Sequence, residues 1–385
     1  MSFKYTVKGY VGFGNVLETI LKNKGIDNIS LFLNPTETCM ESELLLNNIE
    51  KARDCLVKHI KNNSNITIVV DCDVDGFTSA SAMYQYIKKI NPNININFII
   101  HDGKEHGLDS STMDIIKDSN CKLLIMPDAG TNDYRECKLL NDKNIDIIIL
   151  DHHNESNKLK RFKSIWKKYN GGIQNYAIIV NNQMSDKATD KAMTGVGIVY
   201  KFCKVLDTYY NVNYADDYLD LVTLGMIADS ADLRNLQSRY LVIKGIELIK
   251  NEENKNKFIT ELIKSQAYSM NNKVTIIGIA FYIAPLINSL IRIGTQEDKI
   301  AMFKAFVNSD EIIHTKIKGQ GEVDISIQDY VKRLCESSRR KQKKIVDENV
   351  TQMSEQIKKF NLDKLAILVC NASDTIDKNY TGLIS

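Results

Sequence analysis

Ile66-Thr67-Ile68-Val69-Val70-Asp71-Cys72-Asp73-Val74-Asp75-Gly76 is the stretch that decides the fold. Its first five residues are all β-branched and almost all apolar, as a strand buried on both faces requires. Alternating acids follow at once, and a helical pattern begins near Phe77. The same grammar returns downstream in Ile96–Ile100, Leu123–Met126, Ile145–Leu150 and Ala177–Val180, with helix candidates at 77–90, 109–118 and 132–142. Strands alternating with helices at this spacing predict an α/β fold, a parallel sheet flanked by helices on both faces. Beyond residue 190 the strand signal fades. Helical patterns at 190–209, 215–228, 236–250 and 255–268 suggest a helical extension, and 323–360 reads as a long polar connector helix. A final strand at 365–370 reads as the opening of a second α/β domain.

Composition excludes several classes. The chain has 385 residues, 43% of them hydrophobic, enough for more than one core. A formal net charge of +2 does not by itself imply nucleic acid or an acidic membrane. The eight cysteines are scattered without a C-x-x-C pair, which fits a reducing cytoplasm. Met1–Lys8 lacks the apolar core of a signal peptide, and no run of about 18 apolar residues is evident to span a bilayer, so the expectation is a soluble cytoplasmic protein with no membrane partner.

Polar clusters sit directly after strands. In an open parallel sheet the loops at the strand carboxyl ends form the ligand crevice, where residues distant in sequence converge. Asp71-Cys72-Asp73-Val74-Asp75-Gly76 either holds a divalent cation, which relieves the repulsion between its acids, or caps the next helix. Asp128 after the third run has the same two readings. Asp151-His152-His153 places two imidazoles at a strand end, where each needs a hydrogen-bond partner if buried. Asp229 closes the apolar stretch Gly225–Ala228 and, if buried, calls for a cation or strong donors. Oxygen-rich ligation with one or two imidazoles and no thiolate points to Mn2+ or Mg2+, and two such ions suit in-line hydrolysis of a phosphate ester.

These clusters, in this order, resemble the motifs of the DHH phosphoesterase superfamily, and within it most resemble the RecJ-type single-strand-specific 5′→3′ DNA exonucleases. Glu105-His106-Gly107-Leu108 is similar to a G-Y-G-L motif, Thr194-Gly195-Val196-Gly197 to S-G-x-G, Leu224–Asp229 to L-G-T-I-A-D with Arg239 beyond, and Pro285–Arg292 to P-R-I-N-A-x-G-R. The resemblance implies metal ligands at Asp71, Asp73, Asp128, His152 and Asp229, with Asp128 bridging two divalent cations and His153 contacting the scissile phosphate; Thr67 stands where many members have a histidine ligand, and Asp75 is the expected substitute. It implies substrate contacts at His106, Gly195, Arg239, Asn288 and Arg292.

The departures are His101 where the family has arginine before G-Y-G-L, and Leu286 and Ile291 within the P-R-I-N segment. The implied division is an N-terminal extension over 1–60, a DHH catalytic domain over 61–320, a connector helix over 321–360 and a truncated start of a DHH-associated domain over 361–385.

The function implied is hydrolysis of single-stranded DNA in recombination or repair, by a monomer served by a single-strand-binding protein or helicase. The alternatives are a phosphodiesterase for short oligonucleotides or cyclic dinucleotides, and a catalytically silent replication scaffold. Two basic runs, Lys158–Lys168 with Phe162 and Trp166 interleaved, and Lys332–Lys344, read either as backbone-binding surfaces or as solvated helix faces.

Overall fold

A computed structural model describes residues 16–101, 107–155, 176–251 and 256–359. Two compact units are distinguished: Met1–Asp71 with Asp75–Ile99 and His106–Lys255, and Cys72–Val74 with Ile100–Glu105 and Asn256–Ser385.

In the first unit, helices α1 (Val16–Asn23), α2 (Ile29–Leu33) and α3 (Ile49–Lys61) precede the α/β core. That core runs β1 (Ile66–Val70), α4 (Val74–Ile90), β2 (Ile96–Ile100), α5 (Ser110–Asp118), β3 (Leu123–Pro127), α6 (Tyr134–Asn141), β4 (Asp146–Asp151) and β5 (Ile178–Asn181). The five-stranded sheet has the order β2-β1-β3-β4-β5, and β1, β3, β4 and β5 pair in parallel. All five predicted strands are present. β1 and β3 are buried at every residue, which is why each reads as an unbroken apolar run.

One face of the sheet packs Leu124, Met126, Ile147 and Ile149 against Met113 and Ile116 of α5 and Cys137 and Leu140 of α6. On the other face lie α3, against β5, and α7 (Gly195–Tyr210), against β3 and β4. A short 3-10 turn (Ala215–Tyr218) leads into α8 (Leu219–Ala228), which is buried nearly throughout and packs on α9 (Leu236–Lys250). Chain order reverses between β1 and β3. Such a topological switch point opens a crevice at the carboxyl ends of the strands, and Asp71 and Asp128 directly follow β1 and β3.

The second unit contains α10 (Lys257–Gln266), α11 (Ile276–Ile293, with a π-helical turn at Ile279–Ile283), α12 (Gln296–Phe306), β6 (Ile312–Ile317), β7 (Gly321–Ser326) and α13 (Ile327–Lys359). Its core includes Phe258 and Phe306, whose rings meet edge to face at 4.9 Å, together with Phe303, Leu290, Val331 and Cys335. Asn256 ties this core together at the start of α10: its Nδ2 donates to Phe306 O at 2.7 Å and its Oδ1 accepts from Ile259 N at 3.0 Å.

Three expectations are corrected here. The fading strand signal missed the antiparallel β6–β7 hairpin, whose alternating inward positions are only half-buried. The polar helix starts at Ile327, because residues up to Ser326 belong to β7. An apolar run long enough to cross a membrane does exist at Ile276–Ile293, but half of it is buried within the protein, where Leu286, Ile287 and Leu290 pack beside α13. The expected strand at 365–370 lies outside the described residues.

Candidate metal centre

Each strand end delivers its side chain through a local device. Asp71, the residue after β1, is fully buried. The helix after it begins at Val74, earlier than the sequence pattern suggests, so its first turn folds tightly over the strand end. A Cβ at Gly76 would lie 2.6 Å from Asp71 O, so only glycine permits this turn. Asp128 follows β3 with φ +64, in the left-handed region that non-glycine residues seldom occupy. Its N–H donates to Leu150 O at 2.8 Å, so pairing with β4 fixes this uncommon conformation. Aspartate tolerates the left-handed region better than most residues, and local strain of this kind concentrates at functional sites.

The side chains converge. Oxygens of Asp71 and Asp128 lie within 4.8 Å of each other. His152 Nε2 stands 3.1 Å from Asp128 Oδ1 and 3.7 Å from Asp229 Oδ2, which projects from the C-terminal cap of α8. Burial, then the neighbouring His153, pushes the His152 imidazole below its ordinary range, against the pull of Asp229, Asp151 and Asp71.

Asp75 occupies the first turn of α4, and its carboxylate is held at the N-terminus of α7. It accepts from Gly195 N at 2.7 Å, Val196 N at 3.1 Å and Thr194 Oγ1 at 3.1 Å. A helix N-terminus favours an anion through its unpaired N–H groups and dipole. An Asp75 oxygen also falls within 4.8 Å of ligand atoms of His152 and Asp229. Gly195 is required for a second reason, since a Cβ there would run into the Asp128 carboxylate.

His153 is set differently from His152. Its Nδ1 lies 2.8 Å from Asp151 Oδ1, the same oxygen that accepts from His152 N at 2.7 Å and His153 N at 3.1 Å. Asp151 Oδ2 accepts from Thr131 N at 3.0 Å. Burial alone would raise the Asp151 carboxyl, but the hydrogen bond and charge of His153, with Thr131, outweigh it and hold it below the usual carboxylate range. The hydrogen bond to Asp151 correspondingly raises His153 to about 9, against its own desolvation.

Asn181 at the end of β5 donates to Thr131 Oγ1 and to His153 O, both at 2.9 Å. Asp151 as an orienting group, Thr131 and Asn181 were not among the expected functional residues. Asn181 follows the same strand-end rule as Asp71 and Asp128, which was the available signal.

Of the other expected residues, Asp73 lies on the Cys72–Val74 turn, assigned to the second unit, as are Asn288 and Arg292, which stand half-buried one turn apart on α11. Arg239 is not gathered with the carboxylates. Its guanidinium lies 3.6 Å over the Phe32 ring and its Nε donates to Phe32 O, binding α9 to α2. His106 and the run Lys158–Lys168 lie outside the described residues. Of the second basic run, Lys332 and Arg333 on α13 pair with Asp329.

The donor set of Asp71, Asp128, Asp229 and His152 is hard and oxygen-rich, with one imidazole and no thiolate. It fits Mg2+ or Mn2+, and a cation would offset the repulsion between carboxylates held this close. The DHH family, N-terminal domain, matches residues 65–226. Those residues contain β1 to β5, Asp71, Asp128 and the Asp151-His152-His153 triplet. Over those residues the chain is similar to the DHH family. Along nearly its whole length it is also similar to the SPbeta prophage-derived protein YorK of Bacillus subtilis, named as a single-strand DNA-specific exonuclease: the two are 39% identical over 370 residues, 96% of this chain and 60% of YorK.

RecJ of Bacillus subtilis, a single-stranded-DNA-specific exonuclease, is 23% identical over 362 residues, 93% of this chain and 41% of RecJ. The chain thus spans 60% of the first relative and less than half of the second. Among solved structures, exonuclease RecJ bound to manganese superposes with a TM-score of 0.65 at 17% identity, covering 82% of this chain and 72% of that one. RecJ from Thermus thermophilus in complex with Mn2+ gives 0.64 at 17% identity, covering 85% and 42%. The DHH domain therefore shares its fold with RecJ.

Proposed function

We propose that this protein hydrolyses phosphodiester bonds with two divalent cations, Mn2+ or Mg2+, and that its substrate is single-stranded DNA degraded from the 5′ end in recombination or repair. The observation that carries this reading is the meeting of Asp71, Asp128, His152 and Asp229 at the carboxyl ends of β1, β3 and β4 and the end of α8, with His153 beside them.

In this reading Asp71, Asp128, His152 and Asp229 would hold the ions, with Asp128 the one expected to serve both. When bound, the ions supply an activated water and neutralise charge on the phosphate. Asp75 supports the ligands from behind by fixing the start of α7, which brings Gly195 against Asp128. Asp151 locks the His153 ring through Nδ1 and sustains its positive charge, so that His153 presents a charge-assisted donor to a non-bridging phosphate oxygen. Asn288 and Arg292 are candidate contacts to the strand. The similarity to YorK and RecJ supports DNA as the polymer.

The test is incubation with Mn2+ and single-stranded DNA labelled at the 5′ or the 3′ end, with a cyclic dinucleotide in parallel. The expected result is early release of the 5′ label as mononucleotide, abolition by EDTA and recovery with Mn2+. Cleavage of the dinucleotide with intact DNA would overturn the nuclease reading in favour of a small-substrate phosphodiesterase.

A further inference from the structure

At the edge of the sheet opposite the carboxylates, α3 and the start of β4 bring together three side chains of different chemistry. Cys55 and His59 are four residues apart on α3, so they share one face of that helix. Asp146 is the first residue of β4. One ligand atom from each of Cys55, His59 and Asp146 lies within 4.8 Å of the other two. The His59 ring is 5% exposed, with Nε2 2.9 Å from Asp146 Oδ2.

We propose that Cys55, His59 and Asp146 form a second cation site, selective for Zn2+, that fastens α3 to the amino end of β4. The donors differ from those of the catalytic edge. A thiolate and an imidazole on one helix face, with one carboxylate, suit a borderline-soft ion in tetrahedral geometry, whereas Mg2+ and Mn2+ prefer oxygen. Tetrahedral zinc bonds separate neighbouring ligand atoms by roughly 3.3–3.8 Å. The 2.9 Å contact between His59 and Asp146 and the 4.8 Å envelope of the cluster reach that range with side-chain adjustment alone.

Charge balances on filling. Cys55 gives its proton to solvent. Lys58, whose Nζ pairs with Asp146 at 2.9 Å from an exposed position, withdraws into water. Zn2+ then meets one thiolate and one carboxylate, with water as fourth ligand. The ion must displace the Cys55 proton, so occupancy rises with pH. Asp146 and Asp151 are five residues apart on one strand, which sets this site about 17 Å from the catalytic edge.

Co2+ provides the test, because cobalt bound to a thiolate absorbs in the near ultraviolet and cobalt bound to carboxylates and imidazole does not. The full chain is first supplied with excess Mn2+ to fill the carboxylate centre, then titrated with one equivalent of Co2+. The thiolate-to-cobalt band should appear in the wild type, rise from pH 6 to pH 8 and disappear on adding Zn2+. In Cys55→Ser, a conservative change at a half-buried position, the band should be absent while the circular dichroism spectrum is unchanged. His59→Gln should weaken cobalt binding at least tenfold. Absence of a band in the wild type, or a band of equal intensity in Cys55→Ser, overturns the proposal.

Discussion

Strand β4 carries an aspartate at each end, and the two ends of the sheet use carboxylates in opposite ways. At the carboxyl end Asp151 is 1% exposed and enclosed by the N–H groups of Thr131, His152 and His153 and by the His153 ring. At the amino end the Asp146 side chain is 41% exposed and its partners are Lys58 and His59. In both, desolvation works against ionisation and is overcome by donors. Asp151 is served mainly by fixed backbone and one locked ring, Asp146 by side chains, one of them long and solvated. Preorganised donors lose little entropy and hold a geometry, while an exposed lysine can leave. The first end is therefore built for positioning, the second for exchange of partners.

The largest expected effect tests the carboxyl end directly. Asp128→Asn preserves shape and tolerates φ +64, but removes the charge proposed to bridge two ions. Activity should fall about a thousandfold, the several kcal/mol that bound metal supplies to the transition state. The metal-free melting temperature should hold or rise, because repulsion with Asp71 is relieved. A variant of near-normal rate would break the assignment.

Asp133, the residue before α6, sharpens the contrast by being half-buried with few donors. Burial is the main cause raising it to about 6; Leu108 N, which donates at 2.8 Å, opposes the shift, and the charges of Glu136, Asp151 and Asp71 add to it. Its folded pKa lies above the unfolded one, so its contribution is intact below about pH 4 and is lost as pH rises through about 6. Asp133→Asn removes that loss. It should stabilise the protein at pH 7 by at most 2–3 kcal/mol, roughly two pKa units, and change little at pH 4. Melting curves at the two pH values check this, and Mn2+ should shrink the difference by screening Asp71 and Asp151.

Asp151→Asn comes next, because it keeps an acceptor for His153 but withdraws the charge that sustains the imidazolium. Loss of a partner behind a functional histidine costs about 10–100-fold in activity. The expected signature is a fall in kcat on single-stranded DNA with Mn2+ affinity reduced less than in Asp128→Asn. An equal loss of metal affinity would recast Asp151 as a ligand.

How far this contrast can be read in sequence follows from what each end is made of. The strands were legible because buried parallel strands must be β-branched and continuous, and Asp71, Asp128 and His152 were legible because they stand directly after them. The backbone devices were not. Nothing in the composition of Asp75 separates a ligand from an acid held at the N-terminus of α7, and the clash between Gly195 and Asp128 exists only once α7 is docked. The amino end was silent for a related reason. Cys55 and His59 are visible as a helical pair, but Asp146 arrives from 87 residues beyond His59, in a strand whose first position carries no expectation of function. The β6–β7 hairpin escaped because the inward positions of Ile312–Ile317 are only half-buried and one of them, Thr315, is polar.

The smallest effect belongs to the amino end and probes the claim that its partners exchange. Lys58 and Asp146 meet at 2.9 Å with side chains 60% and 41% exposed. Water screens such a pair, and holding a long side chain in place costs entropy. Lys58→Ala should therefore lower stability by less than about 1 kcal/mol, an amount that vanishes in molar salt, and leave the proposed nuclease activity unchanged. The same substitution should strengthen Zn2+ binding severalfold, because the ion no longer competes with an ammonium for Asp146. A pair held as firmly as Asp151 and His153 would behave otherwise: its loss would cost stability that salt does not erase. The salt dependence of the melting temperature thus separates a carboxylate held in place from one that can change partners.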